Sequence, residues 1–283
     1  KKCDLRDRNK VIQIFREALN RKDPISGVIH FAGLKTINES IISPLDYWNS
    51  NLVGTLTLLQ IMEEYNCNIL IFSSSATVYK PKLNKILNEN SELGPINPYG
   101  KTKLANEQLL SDVFKSDPNK WRISLLRYFN PVGAHSSGFL GELPIGIPNN
   151  LFPIIMKVAK GELDNLSIYG RDWPTKDGTC IRDYIHVMDL AEGHIRALNY
   201  LFSKENEFIN LNLGTGIGKS VLEVIKTFEK TNNLKIPYIF EDRREGDRAE
   251  VVANIELSKH ILKWEPTFEL SDMCIHSWHW ENK

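Results

Sequence analysis

Ile69-Leu70-Ile71-Phe72-Ser73-Ser74-Ser75 is a short apolar run that closes on three serines. Its length and lack of alternation predict a strand buried on both faces, and the serines predict a polar strand end. Upstream, Val28-Ile29-His30-Phe31-Ala32 reads the same way and stops at Gly33. Between the two, residues 44–65 place Leu45, Leu52, Leu56, Leu59 and Met62 on one side at helical spacing, which predicts a long helix. Downstream, a helix is expected from Pro98 to about Phe114 and a third strand over Ile123–Tyr128. Strands alternating with helices predict a parallel, doubly wound α/β sheet. Ligands of such sheets bind beyond the carboxyl ends of the strands, and Gly33, Ser75 and Phe129 all fall there.

The predicted third helix opens with Pro98-Tyr99-Gly100-Lys101-Thr102-Lys103. Tyr99 and Lys103 are four residues apart and so share one helical face. A free phenol has a pKa of about 10, and a fixed ammonium beside it is expected to lower that value. Many such pairs are only solvated surface. Here the order Ser75, Tyr99, Lys103, each after a strand, predicts a proton-relay site. Ser75 also fits a second reading, a strand-end serine capping the local backbone.

The 283 residues carry 35 basic and 35 acidic side chains, and this balance excludes the basic footprint of a nucleic-acid binder. No apolar run reaches the length of a membrane span. Cys3, Cys67, Cys180 and Cys274 lack metal or disulfide spacing and read as reduced thiols of a cytoplasmic protein. His276 and His279, with Trp278 and Trp280, read as a packed terminal helix, not as metal ligands. After Asn130 the composition shifts to Gly, Pro and Asn. Helices are expected over Leu151–Lys160, 189–202 and from Ser220 to about Lys230, with a strand at Phe208–Leu213. Two domains are therefore predicted, 1–130 and 131–283, with part of 184–230 returning to the first sheet. The glycine run Gly214-Thr215-Gly216-Ile217-Gly218 reads as a turn and helix start.

Six blocks resemble the UDP-glucose 4-epimerase family of the extended short-chain dehydrogenase/reductase superfamily. They are Val28–Ser40, Phe72–Tyr79, Tyr128–His135, Gly146–Leu151, Asp177–Asp189 and Arg243–Asp247, in the family's order over nearly all of the chain. The resemblance implies a Rossmann-like sheet binding NAD and a smaller α+β domain binding the UDP-sugar. It implies Tyr99 as the base that takes the proton of the sugar's 4-hydroxyl, Ser75 as its partner on the reacting oxygen, and Lys103 as the group holding the nicotinamide ribose. Cofactor contacts carry over onto Asp4 and Leu5 near the adenine, onto Phe31, Ala32, Gly33 and Lys35 near the phosphates and ribose, and onto Phe129 by the nicotinamide.

Substrate contacts carry over onto Ser75, Ala76, Thr77, Tyr99, Asn130, Asn150 and Leu151, and onto Tyr169 as the ring that stacks on uracil. Arg182 and Arg244 are implied for the diphosphate, Asp247 for a ribose hydroxyl, and Val251 beside the sugar's 2-substituent. Without the resemblance, Phe31 and Phe129 read equally as core aromatics, Asn130 and Asn150 as turn residues, and Gly33 as a strand-ending turn. Val251 reads equally as the start of a buried strand. The family dimerises through helices matching 44–65 and 98–114, so a homodimer is expected, although leucines there also suit packing on the sheet.

One departure is large: the family's glycine-rich phosphate loop does not precede Asp4-Leu5-Arg6-Asp7. The expectation is a fragment lacking on the order of 50 residues that include the first strands, an apolar unpaired edge on Val28–Ala32, and weak NAD binding by the isolated chain. Two rival activities remain at this stage. A dehydratase or decarboxylase of the superfamily would carry further acid/base groups where this chain has Ala76 and Thr77. A non-catalytic nucleotide-sugar binder would suit the missing loop.

Overall fold

The computed structural model describes residues 1–81, 86–144, 148–244 and 246–283. The elements run α1 (Arg8–Asn20), β1 (Val28–His30), α2 (Ile37–Ile42), α3 (Pro44–Trp48), a π-helical turn (Asn49–Val53), α4 (Gly54–Glu64), β2 (Ile69–Ser75), β3 (Ile86–Leu87), α5 (Pro98–Ser116) and β4 (Arg122–Tyr128). They continue as β5 (Asn130–Val132), α6 (Leu151–Ala159), β6 (Leu166–Tyr169), β7 (Ile181–His186), α7 (Val187–Phe202), β8 (Glu207–Leu213), β9 (Gly218–Ser220) and α8 (Val221–Asn232). The last are β10 (Tyr238–Glu241), β11 (Glu250–Ala253), α9 (Glu256–Leu262) and α10 (Leu270–Glu281). The residues group into two compact units. The first holds Lys1–Pro81, Asn90–Arg127 and His194–Leu211. The second holds Tyr128–Gly193, Asn212–Lys283 and the described part of Lys82–Glu89. The chain thus passes from one unit to the other several times, three times within single elements, β4, α7 and β8.

The first unit is built on a sheet of order β1–β2–β4–β8, with β1 and β2 parallel and His30 opposite Phe72. Every residue of β2 is buried, the serines included, as a continuous apolar run predicts for a central strand. Val11 and Phe15 of α1, Leu58, Ile61 and Met62 of α4, and Leu110 of α5 close over Leu70, Phe72, Ile123 and Leu125. The expected unbroken helix over 44–65 is instead α3, the π-helical turn and α4, preceded by the separate α2. The reason lies in tertiary contacts of Asn51. Its carbonyl accepts Thr55 Oγ1 at 2.7 Å and Asn106 Nδ2 at 3.0 Å, and side chains inserted at a carbonyl widen the helical ladder there.

The second unit holds two small sheets. One has order β3–β11–β7–β5, with β9 antiparallel to β7, and the other pairs β10 with β6 in parallel. Phe152 and Ile155 of α6, Val224 and Phe228 of α8, and Met273 and Cys274 of α10 make its core. The glycine run at 214–218 is a turn, with Gly216 at φ +75°, and Asp183 holds it. That buried carboxylate accepts the Thr215 and Gly216 amides at 2.7 and 2.9 Å. The helix does not follow at once: β9 intervenes, and α8 starts at Ser220 with a full capping box to Glu223. In α10, His276 Nδ1 lies 3.0 Å from His186 Nε2, and His279 Nδ1 lies 3.1 Å from the Ser136 carbonyl, so both rings serve packing. The four cysteines are unbonded, and no helix among the described residues is long and apolar enough to cross a membrane.

Candidate active site

In the first unit the polar end of β2 meets the first turn of α5. Asn97 caps that helix by accepting the Gly100 amide at 2.8 Å, and Pro98 occupies the first helical position. A Cβ on Gly100 would lie 2.8 Å from the Thr77 carbonyl, so only glycine lets the helix approach the strand end this closely. That approach brings Tyr99 up to Ser75, which opposes the effect of burial on the phenol. Ser75 also accepts the Thr77 amide at 3.2 Å and the Thr77 hydroxyl at 3.0 Å. The capping role and the contact with Tyr99 therefore coexist on one hydroxyl.

Lys103 is buried, and its ammonium donates to the Ser73 carbonyl at 2.6 Å. It sits 5.0 Å from the centre of the Phe72 ring and 5.9 Å from that of Tyr99. Burial lowers its pKa to about 8, with Glu107 pulling the other way. The expected lowering of the Tyr99 pKa does not hold here: burial raises it, and only Ser75 opposes that. The ammonium is engaged by a backbone carbonyl beside the phenol rather than by the phenol oxygen, which leaves desolvation as the dominant effect.

Around this pair lie the residues implied for the cofactor. Phe31, Ala32, Gly33 and Lys35 are exposed just past β1, Phe31 at 57 %, so Phe31 is no core aromatic. Its ring faces His194 at 4.8 Å. A Cβ on Gly33 would meet Asn51 Oδ1 at 3.0 Å and Lys103 Nζ at 4.0 Å. Asp4 is exposed and bonded to Arg6, which holds its carboxyl down to about 2, and Leu5 packs on the core edge. Sequence reasoning missed Asn51. Its side chain accepts the Leu34 amide at 2.8 Å and donates to the Leu34 carbonyl at 3.0 Å, pinning the segment after Gly33. The available signal was a lone asparagine amid an apolar helical stripe.

The second unit carries the residues implied for the UDP-sugar. Arg182 on β7 donates to Asp247 Oδ1 at 2.8 Å and to the Arg248 carbonyl at 2.8 Å. The Arg244 guanidinium stacks 3.6 Å from the centre of the Tyr169 ring, at the end of β6. The chain turns after Tyr169 at Gly170, φ +84°, and Trp173 Nε1 donates to the Tyr169 carbonyl at 3.1 Å. Asn150 occupies the N-cap position of α6 but makes no side-chain cap bond, and Leu151 begins that helix. Asn130 opens β5 opposite Tyr184, and Phe129 is buried at 7 % exposure. Val251 is half-buried in β11 opposite Arg182. Gly146 and Ile147 of the Gly146–Leu151 block, and Glu245 of the Arg243–Asp247 block, lie outside the described residues.

Residues 1–214 match the NAD dependent epimerase/dehydratase family. The chain is 49 % identical over 280 residues to the UDP-glucose 4-epimerase of Bacillus subtilis (strain 168), covering 99 % of this chain and 80 % of that protein. Among solved structures, a UDP-glucose 4-epimerase of Stenotrophomonas maltophila with bound NAD and formylated UDP-arabinopyranose superposes with a TM-score of 0.95 at 43 % identity. It covers 100 % of this chain and 82 % of that one. The Bifidobacterium longum UDP-glucose 4-epimerase, in complex with NAD+ and UDP, superposes with a TM-score of 0.92 at 46 % identity, with the same coverage of 100 % and 82 %.

Proposed function

Because this chain belongs to the NAD dependent epimerase/dehydratase family, we propose that its first unit holds NAD and moves the sugar's proton while its second unit grips the UDP moiety. The protein is a UDP-glucose 4-epimerase and interconverts UDP-glucose and UDP-galactose. The observation that carries the residue assignment is the meeting of Tyr99 with Ser75 at the end of β2, with the buried Lys103 one helical turn along.

The residues past β1 suit a dinucleotide. A side chain on Gly33 would crowd Asn51, while Phe31, Ala32 and Lys35 are exposed at the strand's carboxyl end. Phe31, Ala32, Gly33 and Lys35 are assigned to the phosphates and ribose, Asp4 and Leu5 to the adenine side, Lys103 to the nicotinamide ribose and Phe129 to the nicotinamide. When bound, NAD would supply a hydride acceptor for sugar carbon 4, and the net reaction would leave it unchanged. Tyr99 takes the proton of the 4-hydroxyl and later gives it back. Ser75 shares that proton and keeps the phenol aligned. The raised pKa of Tyr99 keeps the phenol protonated until ligands change its surroundings, and the Lys103 charge nearby favours the phenolate as it forms.

In the second unit, Arg182 and Arg244 are assigned to the diphosphate, which guanidinium groups bind in two-pronged fashion. Tyr169 is assigned to uracil, Asp247 to a ribose hydroxyl, and Asn130, Asn150 and Leu151 to the sugar and diphosphate, with Ala76 and Thr77 beside Ser75 completing the sugar contacts. Val251 faces the 2-substituent. Ile42 and Leu45, each 81 % exposed, and Ile41, Val53 and Leu56 leave an apolar face on α2 to α4, which a second copy of the chain covers in a homodimer. Four cysteines without disulfides suit a reducing cytoplasm.

The test uses UDP-glucose deuterated at carbon 4. Retention of the label in UDP-galactose supports transient oxidation with return of the same hydride. Loss of water from that nucleotide-sugar would assign the protein to a rival activity of the family.

A further inference from the structure

Two buried polar rungs join β2 to α5. In the first, Lys103 Nζ donates to the Ser73 carbonyl at 2.6 Å. In the second, Ser74 Oγ donates to Glu107 Oε1 at 2.5 Å. Glu107 lies four residues beyond Lys103 and eight beyond Tyr99, so all three share one face of the helix. The Glu107 carboxylate also receives Arg127 from β4, Nε at 2.9 Å and Nη2 at 2.7 Å. Arg127 Nη1 goes on to the Tyr79 hydroxyl at 3.1 Å, with the guanidinium stacked 4.9 Å from that ring's centre. Ser74 and Arg127 are each 1 % exposed, Glu107 5 % and Tyr79 0 %.

A buried ion pair is a poor way to gain stability, because desolvation offsets most of the attraction. What this pair supplies is direction. A two-pronged guanidinium and a serine hydroxyl on one carboxylate restrain α5 against both rotation and sliding, which apolar contacts in the same place would not. The restrained point is one turn from Lys103 and two from Tyr99, and a helix transmits displacement rigidly over that distance. We propose that Glu107 and Arg127 are positioning residues for the epimerase reaction, setting the register of α5 on the serine end of β2 so that Tyr99 meets Ser75. The inference rests on the reading of Tyr99 as the acid/base group. The charged and titratable groups facing Lys103 are Tyr99 and Glu107 on its own helix and His30 from β1. Of these, Glu107 supports its charge.

The test compares Glu107→Gln, the paired apolar replacement Glu107→Leu with Arg127→Met, and Ser74→Ala in the NAD-loaded enzyme. Misplacement by about 1 Å is enough to cost on the order of 100-fold in rate. The paired variant is therefore expected to lose roughly tenfold or more in kcat with KM for the UDP-sugar nearly unchanged. Ser74→Ala, which keeps the ion pair, is expected to lose a few-fold. In Glu107→Gln the alkaline limb of the kcat profile moves to lower pH, because Lys103 has lost the group that supports its charge. Independently of turnover, amide exchange in the first turn of α5 speeds up in the paired variant, while UDP affinity stays as in the parent. Normal kcat, an unmoved pH limb and unchanged exchange in whichever of these variants folds would overturn the proposal, leaving the pair a folding element only. A Tyr99→Phe control separates the two failures: near-normal turnover there would sink the underlying assignment instead.

Discussion

Tyr99 shows why the chemistry of a site does not follow from residue types alone. The ammonium of Lys103 was expected to lower the phenol's pKa, yet the buried phenol is raised and the ammonium is held by Ser73. Tyr99→Phe is expected to lower kcat by roughly 100-fold or more with UDP-sugar affinity retained, since the ring stays and only the proton is lost. Steady-state kinetics with calorimetric UDP binding checks this, and near-normal turnover would remove Tyr99 as the base. Lys103 makes a second prediction. Its folded pKa of about 8 lies below the ordinary lysine value of 10.5, so between those values the unfolded chain binds more protons. Stability contributed by this group therefore rises with pH from about 8 to 10.5, and the cost, of order 3 kcal/mol, is fully present below 8. In urea melts of the cofactor-free protein, the stability of Lys103→Met relative to the parent should fall across that window. A difference independent of pH would mean that Lys103 is not held charged against its surroundings. Val251 bears on substrate range. In the proposed position beside the sugar's 2-substituent, valine would leave room that tyrosine would fill, so some turnover of UDP-N-acetylglucosamine is expected beside better turnover of UDP-glucose. Val251→Tyr should suppress the first activity and spare the second, with pocket volume worth about 1–3 kcal/mol. Equal loss of both in competition assays would remove Val251 from that role.

Among the elements, the π-helical turn between α3 and α4 departs most from what periodicity predicts. The leucines of 44–65 have helical spacing and do form helix, but the helix widens at Asn49–Val53. Asn51 at its centre bonds the Leu34 backbone in both directions and donates to Thr102 Oγ1 at 3.0 Å. One side chain thus ties the segment after β1 to the start of α5. Asn51→Leu leaves the part-buried amide and carbonyl of Leu34 without those partners, a cost of about 1 kcal/mol. Urea denaturation should show that loss, and NAD retention should fall with it because Gly33 precedes the released residue. Unchanged stability would mean that the Leu34 groups find other partners. The N-terminus of α5 was by contrast readable in advance. Asn97 and Pro98 are local signals for a cap and a first position, whereas the close approach at Gly100 is to the distant Thr77 carbonyl.

For the molecule as a whole, the expectation is a division at residue 130 with part of 184–230 returning to the first sheet, and the residues group into two interleaved units. Residues 194–211 rejoin the first unit, and the described part of 82–89 belongs to the second. The exposed face of Ile41, Ile42, Leu45, Val53 and Leu56 carries the prediction for assembly. Ile42→Glu with Leu45→Glu should convert a dimer to monomer in sedimentation velocity while leaving the core intact, because both side chains are 81 % exposed. A parent protein that sediments as a monomer would show that this face is simply solvated.

The amino-acid order by itself determined the alternation of strands and helices, the polar strand end at Ser73–Ser75, and Tyr99 and Lys103 on one helical face. Each of these follows from side-chain period, local turn chemistry or the spacing of two residues, and such short-range physics is complete within a few residues. Phe31 illustrates the limit, since its exposure past β1 depends on where the sheet ends and not on its neighbours in sequence. Asn51, Glu107 and Arg127 lie further beyond it. Their partners are Leu34 and Thr102 for the first, and Ser74, Tyr79 and each other for the second and third. Only the tertiary structure decided those roles and the pKa of Tyr99, because burial and a hydrogen-bond partner tens of residues away exist only once the chain has closed on itself.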